Sequence, residues 1–516
     1  MKRTPLLVIM AIMILLSSAC KDSNSDNSEL PVTANHYTTE LSVDKSNDPS
    51  EEYPEDNSNE PPEEHQADDS NEPPEEHQMD EPSEPPHERQ ADEPILPSES
   101  SIPLDTAARY FEKVKEIWDK DNGELWGFPL HAPLMFADTV TRHAVINMPD
   151  PNGYFQRNGS IYEGRLPDGI MIWGTTVKFG GLTWGMMPWQ MIENCSTEPE
   201  ILQFIVHEAF HAVQDKVVGN MRSADQKHMD ILDARVSVLL ETNALLTAFQ
   251  ATGSRRQTAI RDALSIRADR RERHPGSISE KATETIEGLA MFTELKLVVG
   301  NTDDIVVWLE DYVEGRAGTS LLSEKFGYWT GALYGFLLED LGADWKHGLS
   351  SETNLGKVLQ QAAGIDELIP VNQIDLEQYG YFEIAAIEAA WLKTFDSIKE
   401  GAISTFSDQP ILRLFGDIDF GNAMMDENIV FEAFFIEISN TEKLIYFGDF
   451  SVIGPWGQIK FQNGYCYQLY PIGIAVSAED IEINGNLASG QTWELVLNDD
   501  FEFRIIGNGY YEVVGP

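Results

Sequence analysis

From residue 105 the apolar positions fall at helical spacing. Ala108, Phe111, Val114, Ile117 and Trp118 follow Asp105 and predict one amphipathic helix over 105–120. Between Leu125 and Trp189 the pattern shortens into β-like runs broken by Gly, Pro and Asn. Ala144–Asn147, Gly169–Ile172, Thr175–Phe179 and Leu182–Trp184 are among them and predict a small twisted sheet. From Thr197 to about Phe395 the periodicity is helical almost throughout. Thr197-Glu198-Pro199-Glu200 is a capping box with proline tolerated in the first turn, and Ser277-Ile278-Ser279-Glu280 predicts a second. From about Gly416 to Pro516 strand-like runs return: Phe431–Ile438, Lys443–Phe447, Gly457–Phe461, Trp493–Leu497 and Tyr510–Val514, divided by Asn, Asp and Gly. The fold class expected is α+β. A small N-terminal sheet and mostly helical domain occupy 104–400, and a separate β-rich domain occupies 410–516.

The first hundred residues follow neither pattern. Lys2 and Arg3 precede an apolar stretch, Leu6 to Leu16, too short to span a bilayer, and Ser17, Ser18 and Ala19 lead to Cys20. That order reads as a secretory signal over residues 1–20. Its ending resembles the bacterial lipobox, which implies diacylation of Cys20 and a membrane anchor on the outer face of the cell. Plain cleavage with free secretion is the alternative, because Leu16 stands four residues before Cys20 where the lipobox has Leu three before. Residues 21–103 carry 25 Asp and Glu against Lys21, Lys45 and Arg89, with apolar residues too sparse to offset chain entropy. A twelve-residue repeat (Asn59-Glu60-Pro61-Pro62, Asn71-Glu72-Pro73-Pro74, Ser83-Glu84-Pro85-Pro86) has no apolar position to stack. It reads as a disordered, acidic, Pro-rich stalk.

Charge narrows the partners. Of the chain's −50, the stalk holds −22 and the signal +2, which leaves −30 on the folded part. Such a surface argues against nucleic acid and anionic lipid as partners. With only Cys195 and Cys466 after Cys20, the chain is no disulfide scaffold, and the two thiols either pair once or stay free.

The chemistry centres on His207-Glu208-Ala209-Phe210-His211. Histidines four apart on a helix share a face and can reach one Zn2+, while Glu208 beside them is placed to take a proton from water. Leu202, Ile205, Val206, Ala209 and Phe210 make the rest of that helix apolar, as a buried site requires. A third protein ligand is needed. No histidine follows soon after His211, so a carboxylate must serve, and two stand in a Glu-x-x-Ala frame: Glu241-Thr242-Asn243-Ala244 and Glu287-Gly288-Leu289-Ala290. The second runs on to Met291-Phe292-Thr293-Glu294. Here the chain resembles the gluzincin peptidases, whose third ligand is often the Glu of a Glu-Gly-x-Ala element ending in an aromatic residue and another Glu. The resemblance implies a zincin-like helical domain, Glu287 as the ligand, and a peptide or protein substrate. Gly288 fits it, because glycine inside a helix costs about 1 kcal/mol against alanine unless something approaches closely. Glu241, 30 residues past His211, stays open as the alternative; Glu287 lies far enough on to require two inserted helices, about 228–250 and 257–272.

Trp126-Gly127-Phe128-Pro129-Leu130, the stretch around His207 and Gly327-Tyr328-Trp329-Thr330-Gly331 also resemble a group of secreted bacterial proteins, over about 120–395. Tyr328 and Tyr334 read as core aromatics or as oxyanion donors. His228 and His274 are further electrophile candidates. Seven arginines between Arg255 and Arg273 read as a solvated helix face. The expectation is zinc-dependent peptide-bond hydrolysis at the cell surface, with His207, His211 and Glu287 as ligands and Glu208 as base. The rivals are a zinc hydrolase of non-peptide substrates and a cell-surface binding protein with a structural or decayed zinc site.

Overall fold

The computed structural model describes residues 102–515 except 140, 168, 220–225, 351, 408, 417, 419–430, 440, 470–472 and 508–509. The signal segment with Cys20 and the stalk up to residue 101 lie outside the described residues. Helix α1 (Leu104–Asp121) buries Ala107, Tyr110, Phe111, Val114 and Trp118, one face of the expected amphipathic pattern. A six-stranded sheet follows, made of β1 (Leu134–Ala137), β2 (His143–Ile146), β3 (Gln156–Asn158), β4 (Ile161–Arg165), β5 (Thr175–Phe179) and β6 (Leu182–Pro188). Its order is β3-β4-β2-β1-β6-β5, antiparallel throughout except where β1 and β6 run parallel. The strand expected at Gly169–Ile172 does not form. Arg142 donates instead to the carbonyls of Leu166, Pro167 and Ile170.

The middle of the chain is helical: α2 (Trp189–Asn194), α3 (Glu198–Val213), α4 (Asp215–Val218), α5 (Leu232–Gln250), α6 (Gly253–Arg273), α7 (Glu280–Glu294), α8 (Thr302–Glu314), α9 (Leu321–Asp340), α10 (Leu355–Ala362) and α11 (Tyr381–Phe406). The fold is thus α+β. Thr197 caps α3 in both senses of the box: its hydroxyl accepts from the Glu200 amide, and the Glu200 carboxylate accepts from the Thr197 amide. The second box does not form. Ser277 lies in a 3-10 turn and donates to the His274 carbonyl, while the Glu280 carboxylate is taken by Arg270 and His228.

Helices α7 and α9 meet almost backbone to backbone. A Cβ on Gly288 would lie 2.5 Å from the Gly331 Cα and 2.6 Å from the Gly327 carbonyl oxygen. On Gly331 it would lie 2.3 Å from the Glu284 carbonyl oxygen. The glycines that interrupt two otherwise helical sequences are therefore the crossing itself. Around it sits a buried ion network that corrects the expectation of a solvated arginine face for two of the seven arginines, while Arg255 and Arg273 are exposed as expected. Arg267 and Arg270 are 3% and 0% exposed. They pair with Glu241 on α5 and with Glu280 and Glu284 on α7, tying three helices together.

The last hundred residues form two antiparallel-rich sheets. Their strands are β7 (Ile411–Phe415), β8 (Phe431–Ile438), β9 (Thr441–Gly448), β10 (Ser451–Gly454), β11 (Gly457–Phe461), β12 (Gly464–Gln468), β13 (Gly473–Ser477), β14 (Glu482–Asn484), β15 (Leu487–Ser489), β16 (Trp493–Leu497), β17 (Glu502–Gly507) and β18 (Tyr510–Val514). One sheet has the order β17-β18-β7-β13-β12-β9-β8 and the other β10-β11-β16-β15-β14. Leu412, Ile474 and Cys466 from the first pack with Val452, Ile459 and Leu495 from the second. The alternating positions Ile411, Phe434 and Ala475 pack instead on Phe395, Ala402 and Phe406 of α11, so the larger sheet is covered on both faces. All described residues belong to one compact unit. Among them no helix is long and apolar enough to cross a membrane. Cys195 and Cys466 are free thiols, Cys466 buried.

Candidate metal centre

Helix α3 lies against the sheet so closely that a Cβ on Gly185 of β6 would stand 2.5 Å from the Glu208 carbonyl oxygen. The other side of α3 faces α7. Between them His207, His211 and Glu287 form the one His/Cys/Asp/Glu cluster with metal-ligand spacing among the described residues. The two Nε2 atoms are 3.0 Å apart, and Glu287 Oε2 lies 3.4 Å from the His207 Nε2 and 3.2 Å from the His211 Nε2. His207 and Glu208 are fully buried; the side chains of His211 and Glu287 are each 13% exposed, so the cluster opens to solvent on their side.

The outer face of each imidazole is engaged. His207 Nδ1 lies 2.7 Å from Glu294 Oε2, and His211 Nδ1 lies 2.8 Å from Gln214 Oε1. Gln214 cannot be turned round, because its amide nitrogen already donates to the Thr285 and Ile286 carbonyls. Its oxygen must then accept, so His211 carries its proton on Nδ1; a carboxylate imposes the same on His207. In the neutral imidazoles both Nε2 lone pairs then face each other and a carboxylate across little more than 3 Å, a repulsion that either a proton or a metal cation among them relieves.

A zinc ion fits these donors. Tetrahedral ligands at 2.0–2.1 Å stand about 3.3 Å from one another, against 3.0, 3.2 and 3.4 Å here. Glu208 is the odd group. Both its carboxylate oxygens are buried without a hydrogen-bond partner among the described residues. Burial raises its pKa to about 6, with His211 and His207 pulling the other way. For His207, burial works downward, yet Glu294 and then Glu287 push it up to about 10: without a metal, this pocket draws in a proton. Burial also opposes ionisation of Glu287, but the two imidazoles hold it well below the usual carboxylate range.

Glu241, the other carboxylate considered from the sequence, is not at the cluster. It is fully buried among Arg267, Arg270 and Tyr334. His228 and His274 also lie outside the cluster, bound to Glu280 and Asp233 at 2.9 and 2.8 Å. Sequence reasoning assigned no role to Glu294 or Gln214. Glu294 stands seven residues, two turns, past Glu287 on the same face of α7, a spacing that could have marked it. Gln214 stands just past the end of α3 and gives no such signal. Comparison with known proteins yields no relative: no family model, no curated protein and no solved structure matches the chain.

Proposed function

We propose that this chain is a zinc-dependent hydrolase of peptide bonds, with His207, His211 and Glu287 as ligands and Glu208 as the group that moves the proton. The observation that carries the reading is the convergence of two imidazole nitrogens and a carboxylate oxygen within 3.4 Å of one another, beside a buried carboxylate with no hydrogen-bond partner among the described residues. A zinc ion held there would supply Lewis acidity and bring the pKa of water to about 7. Glu208 then accepts a proton from water at a carboxylate oxygen and delivers it to the leaving amine. Glu294 and Gln214 hold both imidazoles in the tautomer and direction that ligation needs. A purely structural zinc site has no use for Glu208, whose burial without a partner costs about 1–3 kcal/mol or more.

The peptide substrate rests on the gluzincin resemblance of Glu287-Gly288-Leu289-Ala290 and of Glu294, and the cell-surface setting on the signal ending at Cys20. The test is cleavage of a peptide library by the wild-type chain and by Glu208→Gln. The variant should keep its zinc and lose about 10²–10⁴ of the rate. A wild type that cleaves no peptide while hydrolysing small esters or amides would move the reading to a non-peptide hydrolase. Equal cleavage by both chains would remove Glu208 from the chemistry.

A further inference from the structure

The ligands are held from a direction that supplies no ligand. Tyr328 and Lys325 lie one turn apart on α9, and both are fully buried. The Tyr328 ring stacks on His207, with ring centres 5.6 Å apart and planes 10° from parallel. Burial, and after it the charge of Glu287, hold its hydroxyl well above the usual tyrosine range. Lys325 Nζ donates to the same hydroxyl at 3.2 Å and lies 4.4 Å from the centre of the ring. One side chain thus stacks on one candidate ligand and lies in the field of a second, and Lys325 fixes that side chain in turn.

We propose that Tyr328, braced by Lys325, is a positioning residue that presets Glu287 and His207 as a pair, so that α9 is part of the metal centre although it offers no ligand. The inference rests on the metal reading above and adds to it.

The hydroxyl decides the role. A phenol has one proton, and an ionised carboxylate accepts but cannot donate, so the field of Glu287 directs that proton toward the carboxylate. The oxygen meanwhile accepts from Lys325. Nothing remains for an oxyanion, and a fully buried ring presents nothing to a substrate, which sets aside the oxyanion role considered for Tyr328 and leaves it oriented toward the ligands. Tyr334, equally buried on the same helix, is bonded to Glu241 instead and has no part in the centre.

Burial pushes the Lys325 ammonium down to about 8, with Glu324 and then Glu287 pulling the other way. The approach itself is set by the glycine crossing: Gly327, beside Tyr328, and Gly288, beside Glu287, lie in direct backbone contact.

The experiment uses the full chain and three variants: Tyr328→Phe, which keeps the stacked ring, Lys325→Met, and Tyr334→Phe as a control for loss of a buried hydroxyl on the same helix. Zinc affinity is measured by competition with a chromophoric chelator, and ligand geometry by the visible spectrum of the cobalt-substituted chain. Tyr328→Phe should weaken zinc about 10–100-fold and change the cobalt bands, with Lys325→Met changing both in the same direction and Tyr334→Phe changing neither. Wild-type affinity and spectrum in Tyr328→Phe would overturn the proposal, as would an equal loss in Tyr334→Phe, which would mark the effect as general loosening. A wild-type chain that binds neither zinc nor cobalt would instead bring down the metal reading itself.

Discussion

Gly288→Ala puts the account under a quantitative strain, because two effects of known size oppose each other there. Alanine is the better helix former by about 1 kcal/mol, so on propensity alone α7 should gain stability. The new methyl group, however, would stand 2.5 Å from the Gly331 Cα and 2.6 Å from the Gly327 carbonyl oxygen. Both are backbone atoms, with no rotamer through which to escape. To restore an ordinary 3.4 Å contact, α9 has to retreat by about 0.9 Å along its crossing with α7. That movement loosens Phe292 against Gly335 and pulls Tyr328 from Glu287. Overpacking of this kind costs about 1–3 kcal/mol, and the rigid neighbours put the site at the upper end, which leaves a net loss of about 2 kcal/mol. Because Glu287 is the adjacent residue, zinc affinity should fall too, by about tenfold or more. Urea unfolding of the metal-free chain measures the first effect, and chelator competition the second. Gly276→Ala serves as the control, since its nearest contact is the His228 Cβ at 4.0 Å, and it should be tolerated. A Gly288→Ala chain as stable as wild type, with unchanged zinc affinity, would refute the tight crossing.

Three further outcomes follow from the same structure. Glu294→Gln keeps an acceptor for His207 but removes its charge, so zinc binding should weaken about 10–100-fold with the fold intact, as chelator competition and circular dichroism would show. Glu241→Gln leaves Arg267 and Arg270 short of a buried counter-charge and should cost about 3–5 kcal/mol in urea unfolding while zinc stoichiometry holds; loss of zinc with stability unchanged would make Glu241 a ligand after all. Burial opposes ionisation of Glu280, but Arg270 and His228 hold it well below the usual carboxylate range. A depressed folded pKa contributes stability that is complete above the unfolded value, about 4.3, and is lost as pH falls towards the folded one. Stability should therefore decline below about pH 5, less steeply in Glu280→Gln, and parallel declines would exclude Glu280 as a source.

What the sequence displays depends on how local each signal is. Phe431–Ile438, Gly457–Phe461, Trp493–Leu497 and Tyr510–Val514 coincide with observed strands because alternation and flanking turn residues act within a few positions. The His207–His211 pair is legible for the same reason: four residues of one helix decide it. The third member is legible only through its Glu-Gly-x-Ala frame, and the shorter gap from His211 kept Glu241 open as the alternative until α6 supplied Arg267 and Arg270 to occupy it. Those arginines look like surface residues because their acids come from two other helices, and no window of sequence contains all of them. The second capping box fails by the same mechanism, since Glu280 has stronger partners in Arg270 and His228 than the backbone amide it would have capped. Gln214, Tyr328 and Lys325 owe their places to the packing of α3, α7 and α9, and only the glycines at 288, 327 and 331 hint at it in advance.

The central claim is that His207, His211 and Glu287 bind one metal ion, and metal content of the purified chain tests it most directly. After reconstitution with zinc and removal of the excess, elemental analysis should find about one zinc per wild-type chain and almost none in His207→Ala, because two remaining donors hold the ion poorly. No zinc on the wild type, or as much on His207→Ala as on the wild type, would contradict the account.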